Sequence, residues 1–159
     1  MEPLDKFKLL MADIGEVLKA SSVVQFENGY WLIEYGDSEL VWVYYHQQDD
    51  SFTLSGEAGA IEKQDQLELY KFFLTFNALG QEQRSVKTAL SGNGDSCLLL
   101  GDYSATSLNT LEFSAIFFNF AEQMIHWRYL LKSWPTATSQ DKQKLVDNIS
   151  FMNPNMIRA

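Results

Sequence analysis

Two histidines, one cysteine and a few neighbouring carboxylates are the residues of this chain best equipped for chemistry, and their spacing serves none of it. A Cys–His nucleophilic pair would need Cys97 beside His46 or His126. Cys97 instead opens the run Cys97-Leu98-Leu99-Leu100, where apolar neighbours raise a thiol's pKa and leave it inert. It reads as a small buried hydrophobe. His46 stands at the end of a strand candidate and His126 inside a helical one, and two isolated histidines without metal-ligand spacing do not make a zinc site. Asp49-Asp50 fall in a turn, where Asp is favoured for backbone reasons. Glu34 and Glu39 flank the Gly36-Asp37 turn and face water, whereas an acid–base pair needs two carboxylates in different environments inside a cleft. Gly92-Asn93-Gly94 has the look of a phosphate loop but lacks a Lys and a following helix, so it reads as a hairpin. No catalytic motif survives, and the chain reads as a non-enzyme with no metal and no cofactor.

Composition bounds the alternatives. A chain of 159 residues allows one domain at roughly 100–200 residues each. With 46% apolar and 21% charged residues, it can build a core and is not disordered. Acidic residues outnumber basic ones 21 to 12, a formal charge of -9. That excludes a protein built to neutralise phosphate backbones and argues against anionic lipid surfaces. The imbalance is local: residues 1–70 carry 14 acids and 4 bases, residues 71–159 carry 7 and 8. A lone cysteine cannot form an internal disulfide, which suits a reducing compartment. The start Met1-Glu2-Pro3-Leu4-Asp5-Lys6-Phe7 lacks the basic and apolar runs of a secretory signal. Phe113–Ile125, the richest apolar window, is broken by Ser114, Asn119, Glu122 and Gln123. The expectation is a soluble, cytoplasmic protein that binds neither nucleic acid nor membrane.

The elements follow from periodicity. Leu4, Phe7, Leu10, Met11, Ile14, Val17 and Leu18 recur at helical spacing and predict an amphipathic helix over 3–20, with Pro3 in its first turn. Val23–Phe26 and Tyr30–Tyr35 flank Asn28-Gly29, a pair suited to a tight hairpin. Leu40–Tyr45 is apolar on both faces, as a central strand would be, and Phe52–Gly56 follows after the turn at 47–50. Asp65 starts a second helix with a capping box to Glu68, and Gly80 stands at its C-cap. Ser85–Leu90 and Ser96–Gly101 form another hairpin, and a long helix runs from about 108 to 132. Trp134-Pro135 ends it, Gln140–Ile149 is a short polar helix, and Asn153–Ala159 is a loose tail. Runs of antiparallel strands broken by helices make an α+β fold. The predicted organisation is a domain over 1–135 and a helical extension and tail over 136–159.

Aromatic residues make up 14% of the chain, with four Trp and eleven Phe. Apolar residues cover more than one face of the middle helix and form two stripes on the long helix: Phe113, Ile116, Phe117, Phe120, Met124, Trp127, Leu131, and Leu111, Ala115, Phe118, Ile125, Tyr129. Such a surplus points to a dimer interface or a partner groove.

Several short stretches, in order, resemble the class I type III secretion chaperones of the Tir-chaperone family. They are Leu9-Leu10 and Ile14-Gly15, then Ser55–Ile61, then Phe73-Leu74-Thr75-Phe76-Asn77, then Ala121 and Trp127-Arg128-Tyr129-Leu130. The resemblance spans about residues 4–132, while Gly101–Thr106 is more polar than usual and 133–159 extends past the common family end. It implies a five-stranded antiparallel sheet with three main helices, assembled as a homodimer. It implies binding of the N-terminal segment of a secreted effector in extended form, kept soluble and secretion-competent, with the export-apparatus ATPase as a further partner. Carried onto this sequence, the dimer contact falls on Leu69, Phe72, Phe73, Phe76, Val86 and Leu90. The effector surface falls on Phe7, Leu10, Met11 and Ile14, with Trp31, Ile33 and Leu99 on the sheet. Such a partner would add as a strand at an open edge and set alternate side chains into apolar pockets.

Two other readings stay open on the residues. One is a non-catalytic regulatory or adaptor protein of the same fold that binds a folded partner. The other is a small-molecule enzyme or carrier, which would need a closed pocket where His46 or His126 meets a carboxylate.

Overall fold

A computed structural model of the chain describes residues 1–78 and 86–151, with side chains through 149. The Gly80 cap, the Ser85 strand start and the tail over 153–159 lie outside the described residues. The first helix, α1 (Pro3–Leu18), starts with Pro3 in its opening turn and ends with Lys19 in the left-handed conformation, its N–H on the Glu16 carbonyl. Its stripe Phe7, Leu10, Met11, Ile14 and Leu18 is buried.

Six strands follow in one sheet: β1 (Ser22–Glu27), β2 (Tyr30–Tyr35), β3 (Glu39–His46), β4 (Ser51–Ala60), β5 (Val86–Leu90) and β6 (Ser96–Ser104), ordered β1-β2-β3-β4-β6-β5. The expectation of five strands is therefore corrected to six. Asn28-Gly29 turns the chain tightly enough for Ser22–Glu27 to pair with β2 as a full strand of its own. Gly29 supplies the positive φ of 87°, and its carbonyl accepts the Tyr45 N–H at 2.8 Å. The first four strands pair antiparallel. Between β4 and β6 the Asp50 carbonyl accepts from the Ala105 N–H, and the Ile61 N–H donates to the Asp95 carbonyl. Those two links run in opposite directions along the chain, so this pair is antiparallel too.

The remaining helices are α2 (Gln66–Ala78), α3 (Thr110–Ser133) and α4 (Ser139–Phe151). The box expected at Asp65–Glu68 is not how Glu68 is used: its carboxylate accepts from Lys142 Nζ at 3.0 Å. A reciprocal box does form at α3, where Asn109 Oδ1 accepts from the Glu112 N–H and Glu112 Oε2 accepts from the Asn109 N–H.

The chain divides into two compact units, one of residues 1–56 and 100–120, the other of residues 57–99 and 121–159. The first is built on aromatic packing. Phe7 lies 4.7 Å from Tyr45, 5.4 Å from Trp31 and 5.5 Å from Phe52, and Phe52 stacks on Phe113 at 5.3 Å. Gly15 allows α1 this close, since a Cβ there would come within 3.3 Å of Val23 Cγ2. In the second unit Trp127 is the hub, 4.8 Å from Phe76, 5.6 Å from Phe72 and 6.0 Å from Phe73. The extension joins that unit through Leu145 and Ile149, both buried, and through Lys142, whose ammonium sits 5.1 Å from the Trp134 ring centroid.

Candidate functional site

The alternation of β2 and β3 sets two faces apart in the first unit. Trp31, Ile33, Val41, Val43 and Tyr45 point to the helix-covered side and are buried. Tyr30, Leu32, Glu34, Leu40, Trp42 and Tyr44 share the opposite face. That face is apolar as well, yet Tyr30 and Leu40 are 43% and 47% exposed, and on β1 Val24 and Phe26 are 45% and 58% exposed. The β1–β2 register passes from Gln25–Trp31 to Glu27–Tyr30, leaving Phe26 as a bulge residue. A bulge re-aims its side chain, and the Phe26 ring stands 5.2 Å from Trp42. Trp42 stacks on Tyr44 at 6.2 Å, and Tyr44 meets Tyr30 edge-on at 5.0 Å. Four rings thus form one open aromatic ridge.

Polar groups rim the ridge. His46 Nε2 lies 2.8 Å from Thr53 Oγ1, whose hydroxyl donates to Asp102 Oδ1 at 2.6 Å. Burial raises the Tyr44 phenol pKa above its ordinary value, with the Tyr30 hydroxyl adding to it. Beyond the ridge, β1 has a single strand neighbour among the described residues, β2. An edge strand offers unpaired backbone groups to another chain. The other edge is treated differently: on β5 the Thr88 backbone is hydrogen bonded to the Asn77 side chain.

The residues expected to hold a partner lie elsewhere. Phe7, Leu10, Met11, Ile14, Trp31, Ile33 and Leu99 are all buried, at 0–9% exposure. They build the chain's own interior. Of the expected dimer residues, Leu69, Phe73, Phe76 and Val86 are buried, Phe72 is half-buried, and Leu90 is 40% exposed. The outward residues of α2 are Leu67 and Leu74, each 70% exposed. On α3 the first stripe is largely buried, whereas Leu111, Phe118, Ile125 and Tyr129 of the second are exposed. Sequence reasoning missed Phe26, Tyr30, Trp42 and Tyr44. Period-two alternation marks them as one face, but nothing in it says which face the helices cover.

The described residues show little that suits catalysis. A cleft of about 240 Å³ is lined by Pro3, Lys6, Phe7, Leu10, Asp50 and residues 105–108. There the Asp50 carboxylate accepts from the Tyr45 hydroxyl at 2.7 Å and the Thr106 hydroxyl at 3.3 Å. The depression beside His46 is lined by residues 46–49 of one turn, so polar groups from separate elements do not converge there. Among the described residues no cluster of three or more His, Cys, Asp or Glu could hold a metal ion. None of their helices is long and apolar enough to cross a membrane.

Comparison with known proteins places this geometry. The fold matches a chain of the ExsC–ExsE complex at a TM-score of 0.69 and 15% identity, over 82% of this chain and 97% of the other. It matches the Yersinia pestis type III secretion chaperone SycH, solved with a fragment of YscM2, at 0.56 and 14%, over 75% and 97%. It also matches YbjN, a putative transcription regulator from E. coli, at 0.51 and 18%, over 82% and 90%. At such identities these likenesses establish the fold alone. No curated protein sequence matches the chain. The model of the Tir chaperone protein (CesT) family matches residues 10–128, three quarters of the sequence, and the chain belongs to that family.

Proposed function

We propose that this protein is a type III secretion chaperone that holds the N-terminal segment of a secreted effector in extended form, soluble and ready for export. The observation that carries the reading is the open aromatic ridge of Phe26, Tyr30, Trp42 and Tyr44 beside the single-neighbour strand β1. A contiguous apolar patch left on a folded surface marks an interaction site. An extended chain can bond to the edge while setting alternate side chains against the patch. Family membership and likeness to a type III secretion chaperone solved with a bound fragment support the same reading. The work is binding, with no catalytic step, and is done in the cytoplasm before the client is handed to the export-apparatus ATPase.

The same reading includes a homodimer. Leu67 and Leu74 on the outer side of α2, with Leu90 on β5, offer the second unit an exposed apolar surface for a second copy.

The experiment is co-expression with an effector encoded nearby. The expected result is a co-purifying client that loses solubility when the chaperone is omitted, and whose bound segment is cleaved by protease as an unfolded chain would be. A bound partner that keeps its own tertiary structure would favour the adaptor reading, which the likeness to YbjN keeps in view.

A further inference from the structure

Charge says what kind of segment the ridge can take. From Ala20 to Glu62 the chain has eight acidic residues and no Lys or Arg. Strands β1, β2 and β3 lie wholly within that stretch. Glu34 lies on the ridge's own face of β2, two residues from Leu32, which pairs with Trp42. Asp102 reaches the same face through Thr53, which pairs with Tyr44. Aromatic faces carry negative quadrupole potential and attract guanidinium groups above all. Arg also carries a long alkyl stem that packs on apolar surface while its head seeks a carboxylate.

We infer that the open face of β1–β3 selects a basic client segment, one in which Arg alternates with apolar residues, by stacking guanidinium groups on Trp42 and Tyr44 and pairing them with Glu34 and Asp102. The inference rests on the chaperone reading and names the chemistry of its client. An acidic segment would meet like charge at Glu34 and Asp102, and a neutral one would gain only the apolar contact. Discrimination among clients then comes from charge and backbone bonding from the β1 edge, a division that tolerates many sequences.

The test uses the full chain and short soluble peptides alternating Val with Arg, Lys, Gln or Glu. Trp31, Trp127 and Trp134 are buried at 2–3% exposure, so Trp42 dominates any ligand-dependent quenching of tryptophan fluorescence. The Arg peptide is expected to quench and bind tightest, Lys next and Gln weakly, with no binding by Glu. Trp42→Leu should lower Arg-peptide affinity by about fivefold, measured by anisotropy, and leave Gln-peptide affinity unchanged. Glu34→Gln should act in the same direction, and its binding should lose part of its salt dependence. Urea midpoints of both variants establish that they are folded, and Glu34→Gln stands alone if Trp42→Leu is not. Equal affinity for the Arg and Gln peptides overturns the inference. So does an equal effect of Asp13→Asn, an exposed α1 residue, which would mean a diffuse attraction to an acidic protein. Conversion of a dimer to monomer by Trp42→Leu would assign the ridge to a second copy and overturn it as well. A co-purifying client whose Arg→Gln variants bind unchanged would defeat this inference and leave the chaperone reading intact; Arg-peptide selectivity without any client would do the reverse.

Discussion

The side-chain amide of Asn77, near the end of α2, takes the place of a neighbouring strand for Thr88 of β5. Its Nδ2 donates to the Thr88 carbonyl and its Oδ1 accepts from the Thr88 N–H, both at 2.8 Å. The Thr88 hydroxyl adds a third bond to the same Oδ1 at 3.0 Å. One residue therefore ties helix to strand and closes part of a sheet edge that would otherwise invite another chain. Asn77→Ala leaves the buried Thr88 backbone without that partner and is expected to cost about 1–3 kcal/mol, read from urea denaturation. Unchanged stability would mean that water replaces the amide without loss.

The two faces of the sheet should respond oppositely to substitution. Phe113, fully buried against Phe52, is expected to lose about 3–5 kcal/mol as Phe113→Ala. Phe7→Asp would bury a charge among Trp31, Tyr45 and Phe52 and should leave no folded protein. Trp42→Ala, on the open face, should cost about 1–2 kcal/mol yet weaken client capture in pull-downs. Comparable melting losses for Phe113→Ala and Trp42→Ala would contradict the open face.

Alkali should weaken the fold. Burial pushes the Cys97 thiol up to about 12, from an ordinary 9.0. Burial and the hydrogen bond to Asp50 push the Tyr45 phenol up to about 12, from 10.0. Above pH 9 the unfolded chain releases protons that the folded chain still holds. Stability is therefore complete below that pH and declines as pH rises toward about 12. Native protein at pH 8 should resist iodoacetamide, and protein in urea should be alkylated at once. Rapid native alkylation would place Cys97 at the surface.

For the oligomer, light scattering should give one species at twice 18.2 kDa. Leu74→Asp, 70% exposed on α2, should shift that mass to the monomer without altering the far-ultraviolet spectrum. A wild-type monomer at micromolar concentration would remove the homodimer from the proposal.

Lys142 joins α4 to the second unit through Glu68 and the Trp134 ring. Glu68 is more than half exposed, so Lys142→Ala should cost under about 1 kcal/mol. Removing Leu145 instead, as Leu145→Ala, should release α4 to proteolysis, because its apolar side is what is buried.

Local pattern determined much of this protein. The stripe Phe7, Leu10, Met11, Ile14, Leu18 could bury one side only as a helix, and the structure has that helix. Asn28-Gly29 between two strand-like runs marked a tight turn, and the leucines after Cys97 marked it as a buried residue. The short motifs ending in Asn77 and in Trp127-Arg128-Tyr129-Leu130 led to the family. Tertiary structure decided the rest. On β2 and β3 both alternating sets are apolar, Trp31 and Ile33 against Tyr30 and Leu32, Val41 and Val43 against Trp42 and Tyr44. A period of two separates those sets without ranking them. Only the seating of Phe7 against Trp31 and Tyr45 made one set the core and left the other open. The bulge that swings Phe26 onto Trp42, and the bond from Asn77 to a strand eleven residues away, arise from register and packing. Those depend on contacts between distant parts of the chain, which adjacent residues do not encode.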